Sequence, residues 1–255
     1  MRDNPPMNRE GFLDSVARQV QLADDVAHRP WPLPDRPWAQ AQTRRDVLFA
    51  HWPAPLDELA RLLPPELALD TFDGTAWFGA VACRLAHLRL RGLVPVPGLS
   101  SGLQLEFLTY VTHDGRPGLW HFALEAGNPL LVEAAKRAHR LPAYHARIEA
   151  TESGGSIGFE ATRDGLVFRA IYAGGGPEGV PSPGSFEGFF ADRYALYTAD
   201  GGRLYRAELH HAPPRLQAAQ GEVGTMTLSP VAVEGEPRLS FAASQDLLIW
   251  SLEEL

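Results

Sequence analysis

Apolar and polar residues alternate along much of the chain after residue 38, and Asp-Gly pairs interrupt the alternation. Because Asp-Gly readily adopts the positive φ values of two-residue hairpin turns, each pair predicts a hairpin between its flanking segments. The pairs are Asp73-Gly74, Asp114-Gly115, Asp164-Gly165 and Asp200-Gly201. The predicted hairpins join Leu67–Phe72 to Thr75–Leu85, Leu103–His113 to Leu119–Glu125, Ser156–Arg163 to Leu166–Tyr172, and Arg193–Thr198 to Arg203–His210.

A few helices and loops are predicted between these hairpins. Short helices are expected at Leu56–Leu63, Pro129–Arg140 and Phe186–Ala191, and a final strand at Leu239–Trp250. Glycine and proline favour irregular loops at Ala173–Gly184 and His211–Gly224. Repeated hairpins with inserted helices indicate an α+β fold, a mostly antiparallel sheet that curls into a barrel or cone.

The N-terminal region differs from the rest. Phe12, Val16 and Val20 recur every fourth residue, which predicts an amphipathic helix over Asn8–Ala27. A proline-rich linker, His28–Trp38, follows it. We therefore expect residues 1–38 to form a helix and linker, and residues 39–255 to form a single β-rich domain.

The net charge and the number of cysteines argue against several classes of protein function. The formal net charge is −8 and the sequence pI is about 5.6, which argues against nucleic-acid binding. Cys83 is the only cysteine, so no disulfide framework or cysteine metal cluster is expected. Without an apolar leader or a long apolar run, we expect a cytoplasmic protein with no membrane partner.

The second predicted hairpin carries the candidate chemistry. Alternation places Glu106, Tyr110, His121 and Glu125 on one face, opposite an apolar face. Such a polar face commonly meets solvent on a half-buried sheet. The alternative is a polar cavity inside a curled sheet, where burial shifts the pKa values of carboxylates and imidazoles.

Several motifs resemble the YqjF-like proteins, a bacterial family of unknown function that is distantly similar to acetoacetate decarboxylase. Leu48–Val81 resembles the family's opening segment, and Thr109-Tyr110-Val111 matches the end of its Glu-x-Asn-x-Arg-Thr-Tyr-Val strand. The resemblance implies an acetoacetate-decarboxylase-like fold. It also implies a rewritten site, since Gln104, Glu106 and Leu108 replace the family's glutamate, asparagine and arginine. Leu108 cannot bind an anion as that arginine could.

The decarboxylase to which this family is similar depends on a strand lysine. The segment KRAHRLPAYHAR, residues 136–147, resembles the corresponding stretch, and the resemblance places that lysine near Ala143 and Tyr144. Neither side chain forms a Schiff base. The only lysine, Lys136, belongs to a predicted helix and is expected to be solvated, so Schiff-base chemistry is not predicted.

Other motifs have structural readings beside functional ones. Arg89 and Arg91 match the family's Arg-x-Arg-Gly loop and could clamp a carboxylate, although such arginines more often form ion pairs. Arg193 is expected to form an ion pair that anchors the sheet, with cavity lining as the alternative. His51 is expected to be buried. His210 and His211 are adjacent and point to opposite faces, and neither a metal nor a cofactor is predicted.

Three functional hypotheses follow. The first is a binder of a small-molecule ligand, without Schiff-base chemistry. The second is an enzyme in which Glu106 or His121 moves a proton on a small organic acid or ketone. The third is a structural or assembly protein, a homo-oligomer joined through its N-terminal helix. The ligand-binding candidates are Glu106, Tyr110, His121, Tyr144, Arg89 and Arg193.

Overall fold

The computed structural model describes residues 12–95 and 100–255. Its helices are α1 Phe12–Gln21, α2 Leu56–Ala60, α3 Pro129–His139 and α4 Phe186–Ala191, with a 3₁₀ turn at Leu22–Asp24. Its strands are β1 Gln40–Ala54, β2 Ala68–Leu69, β3 Ala76–Leu90, β4 Gly102–His113, β5 Arg116–Ala126, β6 Ala143–His145, β7 Arg147–Ser153, β8 Ser156–Arg163, β9 Leu166–Gly179, β10 Ala195–Asp200, β11 Arg203–His210, β12 Leu216–Met226, β13 Arg238–Ile249 and β14 Glu253–Glu254.

Seven strands form a closed ring. They pair in the order β11-β10-β5-β4-β3-β1-β13, and β13 pairs back to β11. All of these pairings are antiparallel except that of β5 with β10. The predicted curled antiparallel sheet is therefore confirmed, and the ring encloses an interior space.

The sheet also continues beyond the ring. Strands β12, β9, β8 and β7 extend from β13 and fold back over the outer face of β1, β3 and β4. Leu105 and Phe107 of β4 pack there in one apolar core with Phe159 and Phe168 of the extension. Each central strand thus has one face toward this core and one toward the ring interior.

Most predicted elements are present, but two of the four predicted hairpins differ in the structure. Asp114-Gly115 and Asp164-Gly165 form two-residue turns with positive φ at both residues, as expected. The last turn is Gly201-Gly202, one residue later than predicted. The first hairpin is wrong: β2 pairs with β4, and only a bridge between Phe72 and Thr75 remains. The two short segments cannot form a ladder because β3 is already paired with β1 and β4.

Two predicted loops are largely strand. The segment Ala173–Gly184 belongs to β9 as far as Gly179, and His211–Gly224 overlaps β12 from Leu216. A Cβ at Gly174 would lie 2.8 Å from Cδ1 of Phe241, so this glycine permits close packing in a strand. In these two segments glycine therefore does not indicate a loop.

Helix α1 docks partly through a polar side chain, and Val20 of the predicted apolar stripe points outward. Gln19 is fully buried and Val20 is 52% exposed. The Gln19 amide donates to Thr43 Oγ1 (3.2 Å) and accepts from Arg89 Nε (2.7 Å). The predicted helix residues Asn8–Gly11 lie outside the described residues, as do the side chains of Phe12 and Leu13. The expected assembly role of this helix stays a prediction.

Among the described residues, no helix has the length and apolar character needed to span a bilayer. The expected cytoplasmic location stays a prediction.

The docking of α1 predicts different costs for two neighbouring substitutions. Gln19→Ala should lower the free energy of unfolding by about 1–3 kcal/mol, because it leaves the buried Arg89 Nε without its acceptor and removes a hydrogen bond to Thr43. Val20→Ala, one residue along the same helix, should change it by less than about 0.5 kcal/mol. Urea unfolding followed by circular dichroism measures both. A larger loss for Val20→Ala would show that the apolar stripe holds the helix.

Candidate functional site

The polar face of β4 points into the ring. Glu106 and Tyr110 are 1% and 2% exposed, and each lines an interior cavity. His121 of β5 is also buried and lines the same cavity as Glu106. The hydrophilic side of this hairpin therefore faces enclosed space rather than solvent.

One member of the predicted polar face lies elsewhere. Leu108 pairs with His121, but Phe107 pairs with Ala123, so β5 has a bulge at Phe122. The extra residue reverses the alternation beyond it. Glu125 therefore shares the outer face with Leu105, where Arg163 binds its carboxylate (Nη2–Oε1 2.9 Å), and Leu124 turns inward in its place.

The first cavity lies between the ring and helix α3. The space open to the centres of water molecules is about 60 Å³, which is enough for several waters because one needs only ~10–15 Å³. It reaches the exposed residue Ala134 on α3. Its polar lining consists of Gln40, Gln42, Arg44, Gln104, Glu106, His121 and His139, and the rest is mainly leucine.

Glu106 sits at the centre of a buried charged chain. Arg44 of β1 donates from Nη2 to Glu106 Oε1 (2.8 Å), and His121 Nε2 lies 3.2 Å from Oε2. Burial by itself would raise the pKa of Glu106, but the Arg44 charge and the His121 hydrogen bond outweigh it, so the pKa lies below its ordinary value. The carboxylate is therefore ionised and is neutralised by Arg44.

A second polar chain approaches the cavity from α3. His139 Nε2 lies 3.3 Å from Gln40 Oε1, and the Gln40 amide donates to Gln42 Oε1 (3.3 Å). Burial lowers the pKa of His139 to about 4, so this imidazole is neutral at pH 7. In the described part of the chain, Arg44 Nε and His121 Nδ1 have no hydrogen-bond partner. Both atoms are buried from water, and both belong to side chains that line the first cavity.

Tyr110 belongs to a neighbouring cavity rather than to the first. Its hydroxyl shares a 2.6 Å hydrogen bond with Nε2 of His51, and burial lowers the pKa of His51 to about 3. The Arg193 guanidinium lies 4.9 Å from the centre of the Tyr110 ring and forms an ion pair with Asp70. Arg193 thus has both roles considered from the sequence, an anchoring ion pair and a place in a cavity wall.

Two predicted candidates lie away from both cavities. Arg89 is buried under α1, bonded to Gln19 and 4.9 Å from the Trp38 ring. Tyr144 is 40% exposed and shares the outer face with Glu125, where Arg163 covers its ring. Its neighbour Ala143 pairs with Leu124 and faces inward. Lys136 is exposed on α3.

Sequence reasoning missed three polar residues of the first cavity on one strand. Gln40, Gln42 and Arg44 occupy alternate positions of β1 and therefore share a face. The same alternation that revealed Glu106 and Tyr110 was readable there.

No group of three or more histidine, cysteine or carboxylate side chains placed to hold a metal ion occurs within residues 12–95 and 100–255.

Solved structures with the same fold define the class of protein. An acetoacetate decarboxylase-like enzyme from Sphingomonas wittichii RW1 matches with a TM-score of 0.60 and 14% identity, over 89% of this chain and 97% of that one. The enduracididine biosynthesis enzyme MppR, complexed with pyruvate, matches with a TM-score of 0.61 and 12% identity, over 88% and 93% of the two chains. The protein therefore has the acetoacetate-decarboxylase-like fold, as expected.

The family is narrower than this fold. Residues 41–251 match the family DUF2071, described as an uncharacterized conserved protein (COG2071). The uncharacterized protein YqjF of Bacillus subtilis (strain 168) is 34% identical over 229 residues, which cover 87% of this chain and 95% of that protein. The chain belongs to this family, which confirms the resemblance found in its motifs.

The buried neutral His139 predicts a loss of stability in acid. The unfolded chain protonates this imidazole below pH 6.5, whereas the folded protein does so only below about pH 4. Since the unfolded state binds the extra proton in this window, the free energy of unfolding should fall as pH drops, by up to about 1.4 kcal/mol per pH unit.

His139→Gln should therefore reduce the slope of stability against pH by up to one proton between pH 6.5 and 4, while His145→Gln, at an exposed position on β6, should retain it. Urea unfolding at several pH values gives both slopes. Equal slopes in all three proteins would show that His139 is protonated alike in both states.

Proposed function

We propose that this protein binds a small neutral molecule with a carbonyl group in the first cavity, without Schiff-base decarboxylase activity. The observation that supports the proposal is the chain of Arg44, Glu106 and His121 inside the ring. Arg44 Nε and His121 Nδ1 are unused nitrogens next to an ionised, neutralised carboxylate. A carbonyl oxygen can accept a hydrogen bond from Arg44 Nε without bringing a charge.

Charge balance argues for a neutral ligand. Glu106 already neutralises Arg44, and His139 carries no charge at pH 7. A carboxylate entering the cavity would be dehydrated without gaining a free counter-ion, and a buried unpaired charge is strongly unfavourable. The leucine-rich remainder of the wall suits an apolar ligand body.

Schiff-base chemistry lacks its nucleophile. Lys136 is the only lysine and is exposed on α3, where it does not line the cavity. At the position that the resemblance assigns to the reactive lysine, Ala143 faces the interior. The methyl side chain of Ala143 cannot form a Schiff base, so we propose ligand binding without covalent chemistry.

The orientation of His121 favours a second candidate function, proton transfer at the carbon next to the ligand carbonyl. The Glu106 carboxylate accepts from Nε2 of His121, which leaves Nδ1 as a base. The carbon would lose its proton to Nδ1 while the enolate oxygen is stabilised by Arg44 Nε. This geometry would make the protein an enzyme acting on small ketones.

Ligand charge provides a direct test of the first proposal. The wild-type protein should bind 2-butanone at least about tenfold more tightly than propanoate, a difference of about 1.4 kcal/mol. The two ligands are similar in size, but propanoate carries a negative charge and 2-butanone is neutral. Glu106→Gln should reverse this preference, since Arg44 then lacks its carboxylate and can bind an anion. Isothermal titration calorimetry measures the four affinities.

Glu133→Gln is the matched control, because Glu133 is an exposed glutamate on α3. It should retain the wild-type preference for 2-butanone. If Glu106→Gln and Glu133→Gln behave alike toward both ligands, Glu106 does not set the charge of the binding site.

Proton exchange tests the second candidate. In D₂O, nuclear magnetic resonance should show the protein accelerating deuterium uptake at the α-carbons of 2-butanone, and His121→Gln should reduce this rate by about 10²-fold or more. Binding of 2-butanone without any acceleration of exchange would leave the protein a binder and not an enzyme of this kind.

A further inference from the structure

A second cavity lies beside the first, toward helix α4. Its open space is about 50 Å³ by the same measure, and Phe49, Val81, Leu108 and Phe190 form much of its wall. No residue that lines it among those described is exposed, whereas the first cavity reaches exposed Ala134.

The two cavities are adjacent and share part of their walls. Arg44, Leu119, Leu209 and Leu247 line both of them. The Arg44 side chain, which holds Glu106 in the first cavity, therefore stands at the boundary. A ligand group bonded to Arg44 in the first cavity therefore lies close to the second cavity.

The second compartment presents mainly apolar and aromatic surface. Its cation Arg193 is paired with Asp70 and covers the rings of Tyr110 and Phe189. Burial lowers the pKa of His211, which is therefore uncharged at pH 7. Together these groups offer a ligand contact area but no free charge.

We propose that the ligand is elongated: its carbonyl group binds beside Arg44 and His121, and an unbranched apolar chain extends past Arg44 into the second cavity. This inference rests on the proposed function and specifies its ligand class. Each methylene that leaves water on binding is worth about 0.8 kcal/mol, so affinity should rise up to about fourfold per added methylene.

Two alanines provide matched variants. Ala135 on α3 lines only the first cavity and Ala191 on α4 only the second, and both are buried. Ala135→Leu and Ala191→Leu add the same atoms to different compartments. Ala191→Val adds fewer atoms and replaces Ala191→Leu if the larger side chain prevents folding, as judged by thermal melting.

The probes are 2-butanone and 2-heptanone, measured by isothermal titration calorimetry with the full chain. The wild-type protein should bind 2-heptanone at least about tenfold more tightly than 2-butanone. Ala191→Leu should leave the affinity for 2-butanone within about twofold and remove the advantage of 2-heptanone. Ala135→Leu should weaken both ketones.

Two results would overturn the inference while the proposed function stands. One is equal affinity of the wild-type protein for both ketones. The other is an Ala191→Leu protein, or its valine counterpart, that is folded and retains the full advantage of 2-heptanone. If neither ketone binds the wild-type protein, the proposed function itself fails, and the inference fails with it.

Discussion

The ion pair between Arg44 and Glu106 is the interaction on which the interior of this protein depends. An ionised carboxylate inside a ring of strands is tolerated only when a nearby cation and further hydrogen bonds replace its lost hydration. Arg44 on β1 supplies the charge, and His121 on β5 supplies the additional bond. The pair therefore connects β1 to β4 across β3, and it accounts for a polar centre within a largely leucine-lined space.

Strand β4 separates two environments with different physical demands. Its outer side chains Leu105 and Phe107 contribute to the core against the folded-back sheet, while Glu106 and Leu108 face the ring. The bulge at Phe122 lets β5 serve both sides, with His121 directed inward before it and Glu125 directed outward to Arg163 after it. A regular strand would have placed a second carboxylate next to Glu106, where like charges repel.

The fold of this protein is shared with distant solved structures, whereas its candidate site depends on the side chains of this chain. Solved structures at 12–14% identity share the architecture, and the family of this chain is uncharacterized. Such likeness does not transfer an activity, because function depends on the particular side chains placed in the fold. Here the inward position at Ala143 has no amine, and the charged chain around Glu106 is what remains to recognise a ligand.

The sequence by itself determined the local order of the protein. Asp-Gly turns and the spacing of apolar residues predicted most strands and four helices, because these signals depend on neighbouring residues. Alternation also grouped Glu106, Tyr110 and His121 on one face. The family motifs added the acetoacetate-decarboxylase-like fold.

Tertiary structure alone decided what that face meets and which residues join it. Closure of the ring through β11 and β13 turned a polar strand face inward, and it brought Arg44, 62 residues from Glu106, into contact with it. Alternation could not reveal the bulge at Phe122, because nothing in the sequence marks the extra residue. The bulge reverses the faces to which the residues after it point, so that Glu125 points outward. The burial of Gln19 rather than Val20 likewise depended on the partners Thr43 and Arg89, which only the folded chain brings to α1.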